Sequence, residues 1–232
     1  MNEEGSTVTV STTADREAPR KRTRNAADSR EKLIKAGRAE FAQNGFAGAR
    51  TERICARAKS NPRMISHYFG GKSGLYLAVL EEALGDLRRQ ELKIDVEHLD
   101  PVEGLMQLFD FMNSHFAKDR ELVRLLSGEN ILKAKTLKTS KRVAGMASPV
   151  LQAISRLLER GESDGTVRAG LDPLYVYVTM VALNQFHLSN VHTLSVIFQQ
   201  NLDTPDWRAG QHQMARLMVQ NFLRRHQTEA GS

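Results

Sequence analysis

Residues 51–72 constrain the fold most, because they encode two short helices separated by a three-residue turn. Thr51 is a good N-cap for the first helix, and Pro62 suits the first position of the second, where a missing N–H costs nothing. The turn Lys59-Ser60-Asn61 interrupts the helical pattern, and Asn61 can cap the helix that follows. Two helices in this arrangement predict a helix-turn-helix, whose second helix enters the major groove of DNA.

The second helix of this motif is predicted to run to about Phe69 and to end at Gly70-Gly71. Ile65 and Phe69 lie one turn apart and form its apolar side. Five other side chains are expected to face away from that side: Arg63, Met64, Ser66, His67 and Tyr68. A helix this short needs neighbours to hold it. Exposed cationic and aromatic side chains on a rigidly held helix suit a DNA groove.

Charge is distributed unevenly along the chain, which carries a net +6. Residues 20–72 contain fourteen Lys and Arg against four Asp and Glu, whereas residues 73–232 contain eighteen against nineteen. A basic module on a nearly neutral body is typical of a protein that binds a polyanion. The alternative is a solvated surface with an arginine-rich tail.

Length and composition bound the class of protein. A chain of 232 residues with 41% hydrophobic and 26% charged residues is an ordinary globular composition. It has no run of 18 apolar residues and no apolar signal segment, so we expect no membrane span and a cytoplasmic location. The single cysteine, Cys55, excludes a disulfide framework and is interpreted as core filling, with a redox sensor as the less favoured alternative.

Composition shifts divide the chain into four predicted segments. Residues 1–27 are expected to form a disordered tail with a basic arm, 28–72 the helix-turn-helix domain, 73–226 a helical domain and 227–232 a short tail. The arm, Arg20–Arg24, either reaches phosphates or a minor groove or is a solvated tail. Both interpretations of the arm stay open.

Apolar side chains recur at helical spacing along most of the chain. The first helix is predicted over about 29–44, with a capping box from Asp28 to Glu31 and a stop at Gly45. Further helices are predicted over about 72–92, after Pro101, and over 119–132, 149–160, 173–190 and 204–225. No segment has a convincing strand pattern, so the predicted class is all-α.

Residues 29–84 resemble the DNA-binding domain of the tetracycline-repressor (TetR) family. The similarity lies in three segments: Phe41-Ala-Gln-Asn-Gly-Phe46, Thr51-x-x-Ile54 and His67-Tyr68-Phe69-x-x-Lys72-x-x-Leu75. It covers about a quarter of the chain. The resemblance implies a larger helical ligand-binding and dimerisation domain, and a one-component regulator that binds a palindromic operator as a dimer and is released by a small-molecule effector. Repression is the simpler outcome, because a bound dimer can block polymerase without a further contact surface.

The resemblance and the chemistry together name candidate DNA contacts. By resemblance, Thr51, Tyr68 and Lys72 match positions that grip phosphates, and a hydroxyl, a phenol and an ammonium can each bond a phosphate oxygen. A half-buried packing role is the alternative for Tyr68. Arg63 is the candidate for base reading, because a guanidinium can bond guanine O6 and N7 together. Pro62, Met64 and His67 add apolar or single hydrogen-bond contacts.

A dimer surface is expected on the last helix and the apolar helix before it. One recognition helix reads only a few base pairs, so such modules usually act as dimers on palindromes. The candidates follow i, i+3, i+4, i+7 spacing: Met214, Leu217, Met218 and Asn221. An ordinary buried face within one subunit is the alternative.

An effector pocket is expected in the helical domain, where polar groups interrupt apolar stretches. The candidate ligand-binding residues are Phe109, Met112, Phe116, Tyr177, Met180, Asn184 and His187. A core whose polar atoms are satisfied internally is the alternative for each of them. No ligand cluster for a metal is visible and no cofactor is expected.

Two other classes of function compete with a DNA-binding regulator. An all-α enzyme is disfavoured because no phosphate-binding glycine loop, nucleophile motif or paired cysteine ligand is present. A basic helical protein that binds other proteins or a membrane surface is disfavoured because the cations do not gather opposite one long apolar stripe.

Overall fold

The fold is helical throughout, in a computed structural model that describes the backbone of residues 17–94, 96 and 98–224 and the side chains from residue 26. Extended pairing within these residues is limited to an isolated antiparallel bridge between Val167 and Arg224. The predicted all-α class is confirmed. No helix among the described residues is long and apolar enough to cross a membrane.

Helix α1 (Glu17–Gly48) begins earlier than predicted. The backbone is helical through Asp28, so the capping box predicted there is wrong, and so is the disordered tail over residues 17–27. Residues 1–16, the short tail 227–232 and the side chains of the basic arm lie outside the described residues. Gly45 has φ 64° and ψ 175°, which interrupts the helix where the stop was predicted.

Helices α2 (Thr51–Ala58) and α3 (Pro62–Phe69) form the predicted pair. The predicted cap of α2 is wrong, because Arg50 and not Thr51 is its N-cap. Asn61 is the N-cap of α3, as predicted, although its side chain makes no capping hydrogen bond. Lys59 closes α2 in the left-handed conformation, with φ 50° and ψ 47°. Ser60 N–H donates to the Cys55 carbonyl at 2.9 Å, so the turn closes tightly without a glycine.

Helix α4 (Lys72–Glu91) follows directly and packs against α1 and α3 at one end and α5 and α6 further along. Gly74 in its first turn is required, because a Cβ at this position would overlap the carbonyl oxygen of Phe69. The boundary predicted between residues 72 and 73 therefore falls at the start of a helix that belongs to both parts. We call α1–α3 with the first turn of α4 the head, and the rest the body.

The body contains the remaining helices, several of which begin at an Asp or Thr followed by Pro. Asp100, Asp172 and Thr204 each accept hydrogen bonds from first-turn N–H groups. The helices are α5 (Pro101–Lys118), α6 (Arg120–Ile131), α7 (Val143–Met146), α8 (Ser148–Ser163), α9 (Pro173–Ser189), α10 (Val191–Ile197) and α11 (Pro205–Leu223). Helices α7 and α10 and the 3₁₀ turn Leu137–Thr139 were not predicted.

The head is tied to the body at the start of α6. Arg38 on α1 pairs with Asp119, and its Nε lies 3.2 Å from Glu121 Oε2. Asp119 also accepts from the N–H of Leu122 at 3.0 Å, so one carboxylate caps α6 and holds the head. Apolar side chains continue without a break from the head through α4 into the body.

Candidate nucleic-acid interface

Helix α3 presents a cationic edge to solvent. Ile65 is buried and fixes the helix on the head, while Arg63, Pro62 and His67 are exposed. Arg63 forms no ion pair with any described residue. Its guanidinium is therefore free to bond a base edge or a phosphate.

Met64 and Tyr68 were expected to face away from the core, and this expectation is wrong. Both side chains are half-buried and pack against the hydrophobic core. The Tyr68 ring also contacts His67 at 5.0 Å and Phe69 at 6.1 Å between ring centroids. The two residues flank the exposed edge and hold its orientation. The exposed reading surface of α3 is correspondingly narrow.

A buried carboxylate that sequence reasoning missed holds the start of α2. Glu40 Oε1 accepts from Arg53 Nε at 2.7 Å and from the backbone N–H of Arg50 at 3.1 Å. The hydrogen bond from Arg53 is the main reason that the Glu40 pKa lies below its ordinary value. Arg53 also donates to the Gly48 carbonyl at 3.0 Å. The sequence signal that could have indicated Glu40 was a lone Glu facing a cationic segment.

Thr51 and Lys72 each lie beside the end of α1. Thr51 is the first residue of α2, so N–H groups of the first helical turn point outward next to its hydroxyl. Lys72 Nζ lies 3.4 Å from the Ala47 carbonyl oxygen and 4.9 Å from the centroid of the Phe46 ring. A helix N-terminus and an ammonium are both groups that can bind a phosphate oxygen.

Two family models match the chain. Residues 33–79 match the model described as bacterial regulatory proteins, tetR family, and residues 101–219 match the tetracyclin repressor-like C-terminal domain. The chain belongs to the TetR family. The head is thus the DNA-binding domain of a TetR regulator, and the predicted resemblance is confirmed over both parts of the chain.

Known relatives agree with this membership. The chain is 30% identical to the HTH-type transcriptional repressor NicS of Pseudomonas putida, over 75% of this chain and 82% of that protein. It is 38% identical to the HTH-type transcriptional repressor SCO4008 of Streptomyces coelicolor, over 43% of this chain and 48% of that protein. A TetR regulator of Chloroflexus aurantiacus has the same fold, with a TM-score of 0.62, 20% identity and coverage of 87% and 98%.

The seven side chains predicted for the TetR effector pocket are all buried in the body: Phe109, Met112, Phe116, Tyr177, Met180, Asn184 and His187. They come from α5 and α9, which pack against each other. Tyr177 belongs to a polar triad with Glu91 and Arg88. Its hydroxyl donates to Glu91 Oε1 at 3.0 Å, and Arg88 Nη1 lies 2.5 Å from Glu91 Oε2. Burial raises the pKa of Glu91, although both partners favour its charged form.

Polar atoms without partners gather between α5, α9 and α11. Asn184 Nδ2 donates to the carbonyls of Phe109 and Met180, yet Asn184 Oδ1 is buried and unpaired among the described residues. The same holds for His187 Nδ1 and His212 Nδ1. The His212 ring stacks on Phe109 at 5.5 Å. The Asn184 acceptor, the His212 imidazole beside Phe109 and the His187 imidazole beside Trp207 are polar groups in an apolar interior.

The outer face of α9 and α11 is apolar and uncovered. The four residues predicted for the dimer lie on it, and Met214, Leu217 and Met218 expose 62%, 48% and 57% of their surface. The neighbouring exposed side chains on the two helices are Leu174, Tyr175, Val178, Phe186, Asn221 and Phe222. A groove of about 470 Å³ runs between α9 and α11 on this face, lined by Tyr175, Met180, Met218 and Phe222 among others. We call this surface the α9/α11 face.

Among the described residues, no group of three His, Cys, Asp or Glu side chains could hold a metal ion. Cys55 is buried, as predicted, and burial raises the pKa of its thiol. A thiol that stays protonated is a poor redox centre.

Proposed function

We propose that the protein is a transcriptional repressor that binds a palindromic operator as a homodimer and leaves it when a small molecule binds the body. The observation that carries this proposal is the unpaired, exposed Arg63 on a helix fixed by Ile65, within a basic head. The relatives NicS and SCO4008 are both repressors by name. We infer that it works in the cytoplasm, by binding and without turnover.

In this proposal the head divides its contacts between bases and backbone. Arg63 reads guanine through its two parallel N–H groups, while Pro62, Met64 and His67 supply the neighbouring contacts. Thr51, Tyr68 and Lys72 bind phosphates and set the register of the helix in the groove. The ion pair between buried Glu40 and exposed Arg53 supports this division, because it ties α2 to α1.

A second copy is proposed to cover the α9/α11 face. An exposed apolar surface of this extent is costly in water and typical of a protein–protein interface. Two copies joined through it would form a four-helix bundle and place two heads on one side, as a palindrome requires.

The effector is proposed to bind where Asn184 Oδ1 and His187 Nδ1 lack partners. A ligand that carries hydrogen-bond donors and a flat apolar body would satisfy these atoms and pack against Phe109. It would act by binding two arrangements of the heads unequally. Because α9 contributes to the α9/α11 face as well, a ligand there touches the element that sets the spacing of the heads.

The division of contacts is tested with Arg63→Ala and Lys72→Ala, and Arg224→Ala serves as an exposed arginine control in the body. We expect Arg63→Ala to cost about 1–3 kcal/mol on the operator and little on random duplex, whereas Lys72→Ala weakens both alike. Fluorescence anisotropy on the two duplexes measures this. Equal losses on operator and random DNA for Arg63→Ala would overturn its role as the base reader.

A further inference from the structure

A short stretch of the body concentrates positive charge. Residues 133–142, Lys-Ala-Lys-Thr-Leu-Lys-Thr-Ser-Lys-Arg, hold five of the eighteen basic residues after residue 72 and no acidic residue. They form the link between α6 and α7, including the 3₁₀ turn Leu137–Thr139. We call this stretch the basic segment.

Four of the five cations in the basic segment are left without an ion pair among the described residues. Lys133, Lys135, Lys138 and Lys141 are exposed, and none forms an ion pair with a described residue. Elsewhere in the body, cations are commonly paired: Arg120 lies 2.6 Å from Asp203, and Arg216 lies 3.1 Å from Asp110. Four free ammonium groups within nine residues produce a local positive field that attracts a polyanion.

The segment is held in place by carboxylates of the body. Glu129 Oε2 accepts from the backbone N–H groups of Thr136 and Leu137, at 3.2 and 3.0 Å. Ser140 Oγ donates to Glu81 Oε1 at 2.6 Å, and Arg142 Nη1 lies 3.3 Å from Glu81 Oε2. Backbone held in this way displays its lysines at fixed positions, which lowers the entropy cost of binding.

The backbone at the start of the segment is unusual. Lys133 and Ala134 both have φ of 55°, in the left-handed region that non-glycine residues rarely adopt. The N–H of Ala134 donates to the Glu129 carbonyl at 2.7 Å and supports this geometry. Two consecutive residues of this kind turn the chain sharply at the end of α6.

The segment leaves α6 beside the part of α4 that lies next to the head. The Phe46 ring, which lies under the Lys72 ammonium, is 5.1 Å from the Tyr76 ring. A Cβ at Gly128 would lie 3.9 Å from the Tyr76 hydroxyl oxygen. Burial, followed by the charge of Glu129, raises the pKa of Tyr76 to about 12. Glu129, which anchors the basic segment, is thus connected to the proposed phosphate contact at Lys72 through two aromatic rings, Tyr76 and Phe46.

We propose that the basic segment binds the phosphate backbone of duplex DNA that extends beyond the half-site contacted by α3. The inference rests on the proposed operator binding and adds to it a contact made by the body. Its chemistry is that of lysines on phosphates, which is independent of base sequence and sensitive to salt. The effect would be that affinity depends on the length of duplex flanking the operator.

The test compares two double variants with a control that removes the same charge. Lys133→Gln/Lys135→Gln and Lys138→Gln/Lys141→Gln alter the segment, and Lys93→Gln/Arg224→Gln alters exposed cations remote from the start of α4. Each protein is titrated with a duplex of the operator alone and with one extended by about one helical turn on each side, at several salt concentrations.

We expect one or both segment variants to bind the long duplex about tenfold more weakly, and the salt slope to fall by about 0.9 for each phosphate that the variant no longer neutralises. On the short duplex they should bind like the control variant. Equal weakening on both duplexes, or none beyond the control, would overturn the flanking contact.

Two further outcomes are informative. Exposed Ile131 adjoins the segment, so phosphatidylglycerol vesicles are included as a probe. Vesicle binding that depends on these lysines, with no effect of the variants on the long duplex, would assign the segment to a membrane surface and overturn the DNA contact. Failure of the wild-type protein to prefer operator over random duplex would overturn the proposed function, and the flanking contact with it.

Discussion

The head and the body of this regulator use polar groups in opposite ways. In the head, the buried carboxylate of Glu40 is satisfied by Arg53 and a backbone N–H, and Arg63 is a free cation at the surface. In the body, polar atoms of Asn184 and His187 are buried without partners among the described residues, while the α9/α11 face is apolar. A closed interior suits a rigid reader of DNA. An interior with unsatisfied atoms suits a part that a ligand changes.

The comparison separates what each part must do. Reading bases requires the guanidinium of Arg63 to be held within a narrow range of positions. We therefore expect the head to have few alternative conformations. Responding to an effector requires two arrangements close in free energy, and unsatisfied buried groups lower the stability of the ligand-free one. The following changes test this contrast, from the largest expected effect to the smallest.

Gly74→Ala tests the rigidity of the head. The new Cβ would overlap the Phe69 carbonyl, so α3 and α4 cannot keep their present junction, and we expect a loss of more than about 3 kcal/mol in the stability of the head. Hydrogen exchange resolved by segment measures this. Gly145→Ala, where a Cβ meets nothing within 4 Å, is the matched control. Equal protection of α3 in both variants would contradict a rigid junction.

Met214→Asp tests the use of the α9/α11 face. A carboxylate in the centre of an apolar interface should weaken a dimer by about 2 kcal/mol or more and leave the monomer folded. Sedimentation velocity over a range of concentrations measures the association. Ala209→Asp, exposed on another side of α11, is the control. A wild-type protein that stays monomeric at micromolar concentration would remove the basis of the comparison.

Glu40→Ala tests the hydrogen bonds that the buried carboxylate makes in the head. Removal of this carboxylate leaves the N–H of Arg50 and the guanidinium of Arg53 without their partner, at a cost of about 1–3 kcal/mol in the free energy of unfolding. Thermal unfolding measures it, with the exposed Glu31→Ala as control. Because the Glu40 pKa is lowered in the folded protein, this contribution is present above its unfolded value of 4.5 and fades as the pH falls below it.

Substitution of His187 is expected to have the smallest effect on stability, and it tests the buried polar groups of the body. Burial lowers its pKa below the unfolded value of 6.5, so the unfolded chain takes up the proton first. The contribution of His187 to stability is therefore fully present above pH 6.5 and declines as the pH falls toward its pKa in the folded protein. His187→Phe should flatten the decline measured by thermal unfolding between about pH 5 and pH 7, whereas exposed His192→Gln should not. An unchanged pH profile in His187→Phe would contradict the assignment.

The same contrast explains what sequence reasoning could reach. The helix pair, the narrow face of Arg63 and the apolar stripe of α11 follow from periodicity, which acts within one helix. The cap of α2 was misplaced because a tertiary contact decides where this helix begins: Glu40 accepts from the N–H of Arg50, and α2 starts one residue earlier than a Thr51 cap would place it. Met64 and Tyr68 were misplaced because a short helix packs on two sides.

The features of the body were harder to predict from the sequence, because they depend on contacts between residues that are far apart in the chain. The basic segment lacks periodicity, and its course is set by carboxylates on α6 and α4, Glu129 and Glu81. The surroundings of Asn184 depend on α5, 75 residues earlier in the chain, because Asn184 Nδ2 donates to the Phe109 carbonyl. Pairings across such separations leave no local pattern.

The most direct test that the head reads an operator is selection of random duplex DNA by the purified protein at two salt concentrations. We predict enrichment of a palindrome with half-sites about one helical turn or more apart, and disappearance of that enrichment in Arg63→Ala. Salt-sensitive binding with no enriched sequence would leave only the electrostatic contribution and would contradict the central claim of sequence-specific reading by the head.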